Sequence, residues 1–236
     1  MRNTVPIMKR EFASYFNAPI AFVYLTVFLG LSSWLYLKGF FLVNEASLRS
    51  FFHLIPWIFL FFVPAITMRL WAEEKKVGTM ELLMTLPVTD AEAVLGKFLA
   101  SFIFLVVSLA LTFVLPLMVG ILGDPDPGQI VGGYLGCVLI GAAYLSIGLF
   151  ISSLTENQIV AFIVSVVAIF VFYILGADFV LFGVPDWLVP VFSFAGLGGH
   201  FESISRGVID SRDLIYYFSV IGLFLYLNVK AIEARR

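Results

Sequence analysis

Long apolar runs, each of about twenty residues or more, alternate with short polar segments along the chain. A helix of about 20 apolar residues spans a hydrocarbon core of roughly 30 Å. The pattern therefore predicts six membrane-spanning helices, at Ile20–Leu42, Phe51–Leu70, Val94–Leu122, Ile130–Leu154, Ile159–Leu181 and Leu214–Val229. The strands of a β-barrel would alternate apolar and polar positions, whereas these runs are apolar on both faces. The predicted fold class is an all-α polytopic membrane protein.

Composition supports this prediction. Hydrophobic residues make up 61% of the chain and charged residues 13%, whereas soluble domains carry about 25% charged residues. We interpret residues 1–236 as a single membrane domain. The single cysteine, Cys137, lies inside an apolar run, which excludes a disulfide framework within one chain and predicts a small buried apolar residue.

Charge distribution predicts the orientation. Six spans place both termini on one side, and that side receives ten of the fourteen lysines and arginines, since four (Lys38, Arg49, Arg206 and Arg212) fall on the other. Because basic residues concentrate in cytoplasmic loops, both termini are predicted to be cytoplasmic.

The segment before the first span, residues 3–18, is amphipathic. Apolar residues recur every three or four positions, at Val5, Met8, Phe12, Tyr15 and Phe16. This spacing favours a helix lying on the inner leaflet. The alternative is a basic anchor that only sets the topology.

The inner loop, residues 71–93, is too long for a simple turn. Its charged residues lead to Gly78 and then to a short amphipathic helix, for which Thr79 is a candidate cap and Pro87 the end. Thr89 and Glu92 have the spacing of a capping box, so the third spanning helix should begin there. A short helix between two spans is suited to fit a groove on a partner and transmit motion. The alternative is a solvated loop whose apolar residues turn back into the bilayer.

In the inner segment an acidic pair, a basic residue, Gly-Thr, a glutamate and a closing Leu-Pro follow one another: Glu73, Glu74, Lys75, Gly78, Thr79, Glu81, Leu82, Leu86 and Pro87. This pattern resembles the cytoplasmic signature of type-2 ABC transporter permeases. Residues 94–98 also resemble the start of that family's third span, and the resemblance is closest to the gliding-motility permeases, with the nitrous-oxide-reductase maturation permeases related. It implies that the segment is a coupling helix that docks on a separate ATPase subunit.

The resemblance also implies the surroundings of the chain. It implies a bacterial inner-membrane location, pairing with a second copy or a related permease, and a periplasmic accessory subunit as a further candidate partner. ATP and magnesium are expected on the partner ATPase, with no cofactor in this chain.

The sequence lacks an ATP-binding motif and has almost no ionisable residues deep inside its predicted spans. No Gly-x-x-x-x-Gly-Lys-Ser/Thr phosphate loop occurs in the sequence, so we expect no catalytic residues and no ATP hydrolysis here. The ionisable residues in or beside the spans lie near span ends, where long side chains reach the headgroups: Lys38, Arg69, Lys97 and Asp178. A membrane interior with so little to titrate disfavours a proton- or ion-coupled transporter.

The outer loop, residues 182–213, is apolar and interrupted by prolines, which predicts short re-entrant helices. It contains four candidate gate residues, His200, Glu202, Arg206 and Asp210. The alternative is that Glu202, Arg206 and Asp210, four residues apart, form ion pairs along one helical face. His200 and Glu202 without a third ligand do not predict a metal site.

Gly132-x-x-x-Gly136 permits close helix packing, either within the chain or with a second subunit. The function predicted is that of an ABC exporter permease. One alternative is a non-transporting complex that transmits ATPase work to a periplasmic partner. The other alternative is a secondary transporter, which is disfavoured because the membrane interior has so little to titrate.

Overall fold

The computed structural model describes residues 3–17, 19–43, 47–80 and 88–234, and these contain helices and turns but no strand. The helices within them are α1 (Thr4–Asn17), α2 (Ile20–Val43), α3 (Arg49–Val77), α4 (Asp90–Leu111), α5 (Val114–Leu122), α6 (Pro127–Leu154), α7 (Gln158–Ile174), α8 (Asp178–Leu181), α9 (Val189–Ala195), α10 (Leu197–Ser205) and α11 (Ser211–Glu233). The all-α fold class is confirmed.

Five segments are long and apolar enough to cross a membrane: Ala21–Phe40 of α2, α3, α4 continued by α5, α6 and α11. The sixth, α7, is apolar but has only 17 residues. Successive passes run in opposite directions. One end of the bundle, here the terminal end, contains α1, the junction of α3 and α4, and the end of α11. The opposite end, here the loop end, contains residues 123–126 and 175–210.

Helix α6 is the centre of the bundle. It packs against α3, α4, α7, α10 and α11, and 83% of its most apolar 18-residue stretch is buried. The helix carries no charged residue between Pro127 and Leu154. It can therefore be surrounded by other helices without leaving a charge unpaired.

The predicted third span is divided at Thr112, where α4 ends and α5 begins two residues later. Pro116 has no N–H to donate to the carbonyl four residues earlier, which belongs to Thr112. The N–H of Leu115 donates to that carbonyl oxygen instead, at 2.9 Å. The apolar run hides this break, because a proline within it leaves the hydropathy high.

The predicted fifth span differs more. It was expected to reach Leu181, but α7 ends at Ile174 and the chain turns through Gly176. A Cβ atom added to Gly196 would lie 2.4 Å from the backbone nitrogen of Gly176. The chain entering α10 thus packs directly on the end of α7, and residues 179–182 are apolar although they lie outside that helix.

The short helix α10 folds back onto α6. A Cβ atom added to Gly132 would lie 2.5 Å from the carbonyl oxygen of Ile204 and 2.8 Å from the Cα atom of Gly207. Leu197, Phe201 and Ile204 are buried there. The stripe formed by Gly132 and Gly136 is therefore in contact with α10 of the same chain.

Candidate functional site

At the terminal end, α1 packs against the start of α4. Thr89 and Glu92 form the predicted capping box, with both reciprocal hydrogen bonds present. The Glu92 carboxylate also accepts from the backbone and side-chain nitrogens of Asn3, each at 3.4 Å. A Cβ atom added to Gly96 would lie 2.7 Å from Cγ2 of Ile7, so a larger residue there would displace α1. The first helix is thus fixed on the bundle along its length.

Lys97 is the most deeply buried charge at this end, with 1% of its side chain exposed. Its ammonium lies 2.5 Å from a carboxylate oxygen of Glu11 on α1 and 2.7 Å from one of Glu74 on α3. It also lies 4.8 Å from the ring centre of Trp71, a distance suited to a cation–π contact. These four residues, here the Lys97 cluster, join α1, α3 and α4 at one point.

The same part of α3 is fastened to the end of α6. The Ser152 hydroxyl donates to the carbonyl of Met68 at 3.0 Å and accepts from the backbone N–H of Trp71 at 3.2 Å. One turn further, the Lys75 ammonium donates to the carbonyl oxygen of Ser153. The extension of α3 therefore holds three other helices, α1, α4 and α6.

Helix α3 runs seven residues beyond its predicted end at Leu70 and stops at Val77. Its continuation contains two glutamates and two lysines, and both residue types favour helix. Gly78 then takes a positive φ of 77°, a backbone conformation that costs other residues free energy. The glycine thus ends the helix at a fixed position.

The predicted coupling residues occupy different environments. Glu74 is in the Lys97 cluster and Lys75 is bonded to α6, whereas Glu73, Gly78 and Thr79 are exposed. Thr79 is already helical and its hydroxyl donates to the carbonyl of Glu74 at 3.3 Å. Met80 is buried. The remaining predicted coupling residues, Glu81, Leu82, Leu86 and Pro87, lie outside the described residues.

A groove of about 400 Å³ runs between α1 and the extension of α3. It is lined mainly by charged and polar side chains: Arg10, Glu11, Ser14, Arg69, Glu73, Glu74 and Thr79, with Leu70 and Val77. Both signs of charge are present. The groove can therefore hold a partner surface of mixed charge but offers little to an apolar one.

At the loop end, His200 joins α10 to α11. Its Nδ1 lies 2.6 Å from a carboxylate oxygen of Asp213, and its Nε2 lies 2.9 Å from the carbonyl oxygen of Phe194. Its ring stacks on Tyr216 with 3.9 Å between centres. His200 therefore fixes the re-entrant segment, and Asp213 is a partner that the sequence analysis did not identify.

The other candidate gate residues are only partly brought together. Glu202 and Arg206 form the expected ion pair on the surface of α10. The hydrogen bond from Arg206 lowers the pKa of the Glu202 carboxyl, so the pair persists at neutral pH and is lost only as pH falls through that lowered pKa. Asp210 does not continue this face, because α10 ends at Ser205 and Asp210 instead caps α11 through the N–H of Arg212.

Two features of the terminal end were not predicted from the sequence, namely the burial of Lys97 and the part played by Glu11. Lys97 was expected to reach the headgroups, but it is buried in an ion cluster, and Glu11 was not singled out. A lysine just inside an apolar run was the available signal, because a buried charge requires a partner. Within the described residues, no group of three histidine, cysteine or acidic side chains is placed to hold a metal ion.

Comparison with known proteins agrees with this architecture. The family model described as ABC-2 family transporter protein matches residues 8–195, well over half of the chain. A search of the curated proteins found no match. The matched range contains most of α1, the Lys97 cluster and five of the six membrane passes. This chain belongs to the ABC-2 family of transporter proteins and is an integral membrane permease component of an ABC transporter.

Proposed function

We propose that this chain is the permease subunit of an ABC exporter and that residues 71–93 couple it to a separate ATPase. Membership of the ABC-2 family supplies the permease role. The observation that supports the coupling role is that the extension of α3 is bonded to α1, α4 and α6 immediately before this segment turns at Gly78. A force applied there reaches four helices.

The coupling follows from these bonds. Helices α3 and α6, and α4 continued by α5, run from the terminal end to the loop end. Displacement of the α3 extension by the ATPase therefore shifts the packing around α6 and, through Gly132, the position of α10. The ATPase drives transport only if it binds the inward- and outward-facing states with different affinity.

The proposed docking surface consists of the exposed residues of the segment. Glu73, Lys76, Val77 and Thr79 are exposed at the end of α3, and Val77 is 67% exposed. The coupling helix itself is proposed to include Glu81, Leu82 and Pro87, with Glu74 and Lys75 holding it to the bundle. An apolar anchor with charges around it is a common arrangement in protein interfaces.

The remaining assignments stay proposals. We place ATP and magnesium on the partner ATPase and both termini in the cytoplasm of a bacterial inner membrane. Pairing with a second permease, a periplasmic accessory subunit and kinship with the gliding-motility and nitrous-oxide-reductase maturation permeases rest on the resemblance described above. His200, Glu202, Arg206 and Asp210 are proposed as the outer gate, with His200 positioning α10.

Co-purification tests the coupling role. The tagged chain is isolated from its native membranes in mild detergent, and the bound ATPase and its ATP hydrolysis are measured. Glu73→Lys, Gly78→Val and Glu81→Lys should each lower recovery of the ATPase about fivefold or more, because an interface charge reversal or a changed chain direction costs about 1 kcal/mol or more.

The matched control is Glu233→Lys, which reverses an exposed charge at the same end of the bundle. It should leave recovery unchanged. Equal recovery with all three segment variants would reject the assignment. In proteoliposomes, ATP hydrolysis with solute flux supports export, whereas hydrolysis without flux and with a bound periplasmic partner supports the non-transporting alternative.

A further inference from the structure

A cavity of about 610 Å³ opens at the loop end, between the start of α3, the end of α7, α8 and α10. It exists because α7 stops at Ile174 and leaves the space that a longer helix would fill. Ligand pockets in proteins commonly measure about 300–1,000 Å³. The cavity is therefore large enough for a small organic molecule.

Its walls are mainly aromatic. The rings that line it are Trp57, Tyr173, Phe179, Phe182 and Phe201. Trp57 and Tyr173 pack edge to face with 5.2 Å between centres, so two rings from different helices are held at nearly right angles. Trp57 is 46% exposed and Phe179 69% exposed. Several aromatic surfaces are thus presented to one space.

The charged residues of the cavity are acidic. Asp178 and Glu202 line it together with His53, and no lysine or arginine is among its described lining residues. Arg206 bonds to Glu202 from outside this set, and the charge of Arg49 also acts on that carboxylate, so Asp178 is the acidic group that remains for an occupant. The Asp178 carboxylate has no hydrogen-bond or ion-pair partner within the described part of the chain. Asp178 is exposed, so its charge can face a cationic occupant of the cavity.

We infer that this aromatic cavity binds an organic cation with apolar substituents, such as a quaternary ammonium or phosphonium. Aromatic faces attract such cations, and Asp178 supplies the opposite charge. The aromatic faces and the Asp178 carboxylate both disfavour an anionic occupant. The cavity is within one chain, so binding requires neither the ATPase nor the proposed coupling.

Equilibrium dialysis of radiolabelled tetraphenylphosphonium against the purified full chain, in a neutral detergent, tests the inference. The expected result is saturable binding of one cation per chain. Tetraphenylborate has the same shape and the opposite charge, and it should bind at least about tenfold more weakly, which corresponds to 1.4 kcal/mol. Equal affinity for the two ions would reject the inference.

Matched variants locate the site. Asp178→Asn and Trp57→Leu should each weaken tetraphenylphosphonium binding about fivefold or more. Asp124→Asn and Trp187→Leu remove the same groups outside the lining of this cavity and should bind as the original chain does. Trp57→Phe keeps a ring and should retain intermediate affinity, which separates loss of the site from misfolding. Original affinity in both Asp178→Asn and Trp57→Leu would overturn the assignment.

A choline headgroup has the same chemistry as a free cation. Dialysis is therefore repeated in nanodiscs of phosphatidylglycerol, with and without phosphatidylcholine. Binding that phosphatidylcholine abolishes assigns the cavity to a lipid headgroup, and binding that persists assigns it to a free cation. Both results support the cation site, whereas no saturable binding in either nanodisc contradicts it.

Discussion

Lys97 shows how one residue can connect several elements. Its ammonium is enclosed by Glu11 of α1 and by Glu74 and the ring of Trp71, both of α3. The sequence indicates a lysine near a span end, and hydropathy alone favours contact with headgroups. Its partners lie 86 and 23 residues away, so local spacing could not reveal them.

Replacing Lys97 with methionine should destabilise the terminal end strongly. The change leaves Glu11 and Glu74 close together without their shared cation, and breaking a buried ion pair costs about 3–5 kcal/mol. The melting temperature in detergent should fall, and α1 should become accessible to protease. The matched control is Lys230→Met, which breaks an exposed pair with Glu233 and should have little effect.

A triple variant separates charge from packing. Lys97→Met combined with Glu11→Gln and Glu74→Gln removes all three charges and should recover much of the lost stability. If the single and triple variants melt alike, the ion cluster is not what holds α1 to α3 and α4.

At the scale of elements, hydropathy predicted the existence and approximate bounds of the spanning helices, because burial in lipid requires continuous apolar runs. The capping box at Thr89 was equally local, and it was therefore predictable from the sequence. The early end of α7 was not predictable in this way, because residues 179–182 are apolar enough to continue it. Its end depends on Gly176 and on the approach of Gly196, which is a tertiary contact.

The packing of α10 on α6 can be tested at Gly132. Gly132→Ala places a Cβ atom 2.5 Å from a backbone oxygen of α10, so the two helices must move apart. Overpacking of this kind typically costs about 1–3 kcal/mol. The melting temperature in detergent should fall measurably.

Gly30→Ala is the control, because a Cβ atom at Gly30 meets nothing within 4 Å and alanine favours helix. Its melting temperature should stay the same or rise. A Gly132→Ala variant as stable as Gly30→Ala would mean that α10 does not pack on this stripe.

At the scale of the whole molecule, the sequence indicated where a partner would bind but not how a displacement at that place would be transmitted to the other helices. The inner segment was recognisable from its residues. The bonds from α3 to Ser152 and Ser153 of α6 involve common hydroxyl and carbonyl groups and leave no pattern in the sequence. The aromatic cavity was missed for a similar reason, since its rings are separated along the chain and resemble lipid-facing residues.

Site-directed crosslinking tests the central claim most directly. A benzophenone probe is attached to Val77→Cys, which is 67% exposed, while the native Cys137 is fully buried and remains unlabelled. Trp187→Cys, 75% exposed at the loop end, is the comparison. In native membranes, position 77 should form an adduct with a protein that carries a phosphate-binding loop, and position 187 should not. No such adduct from position 77, or an equal adduct from position 187, would contradict coupling through this segment.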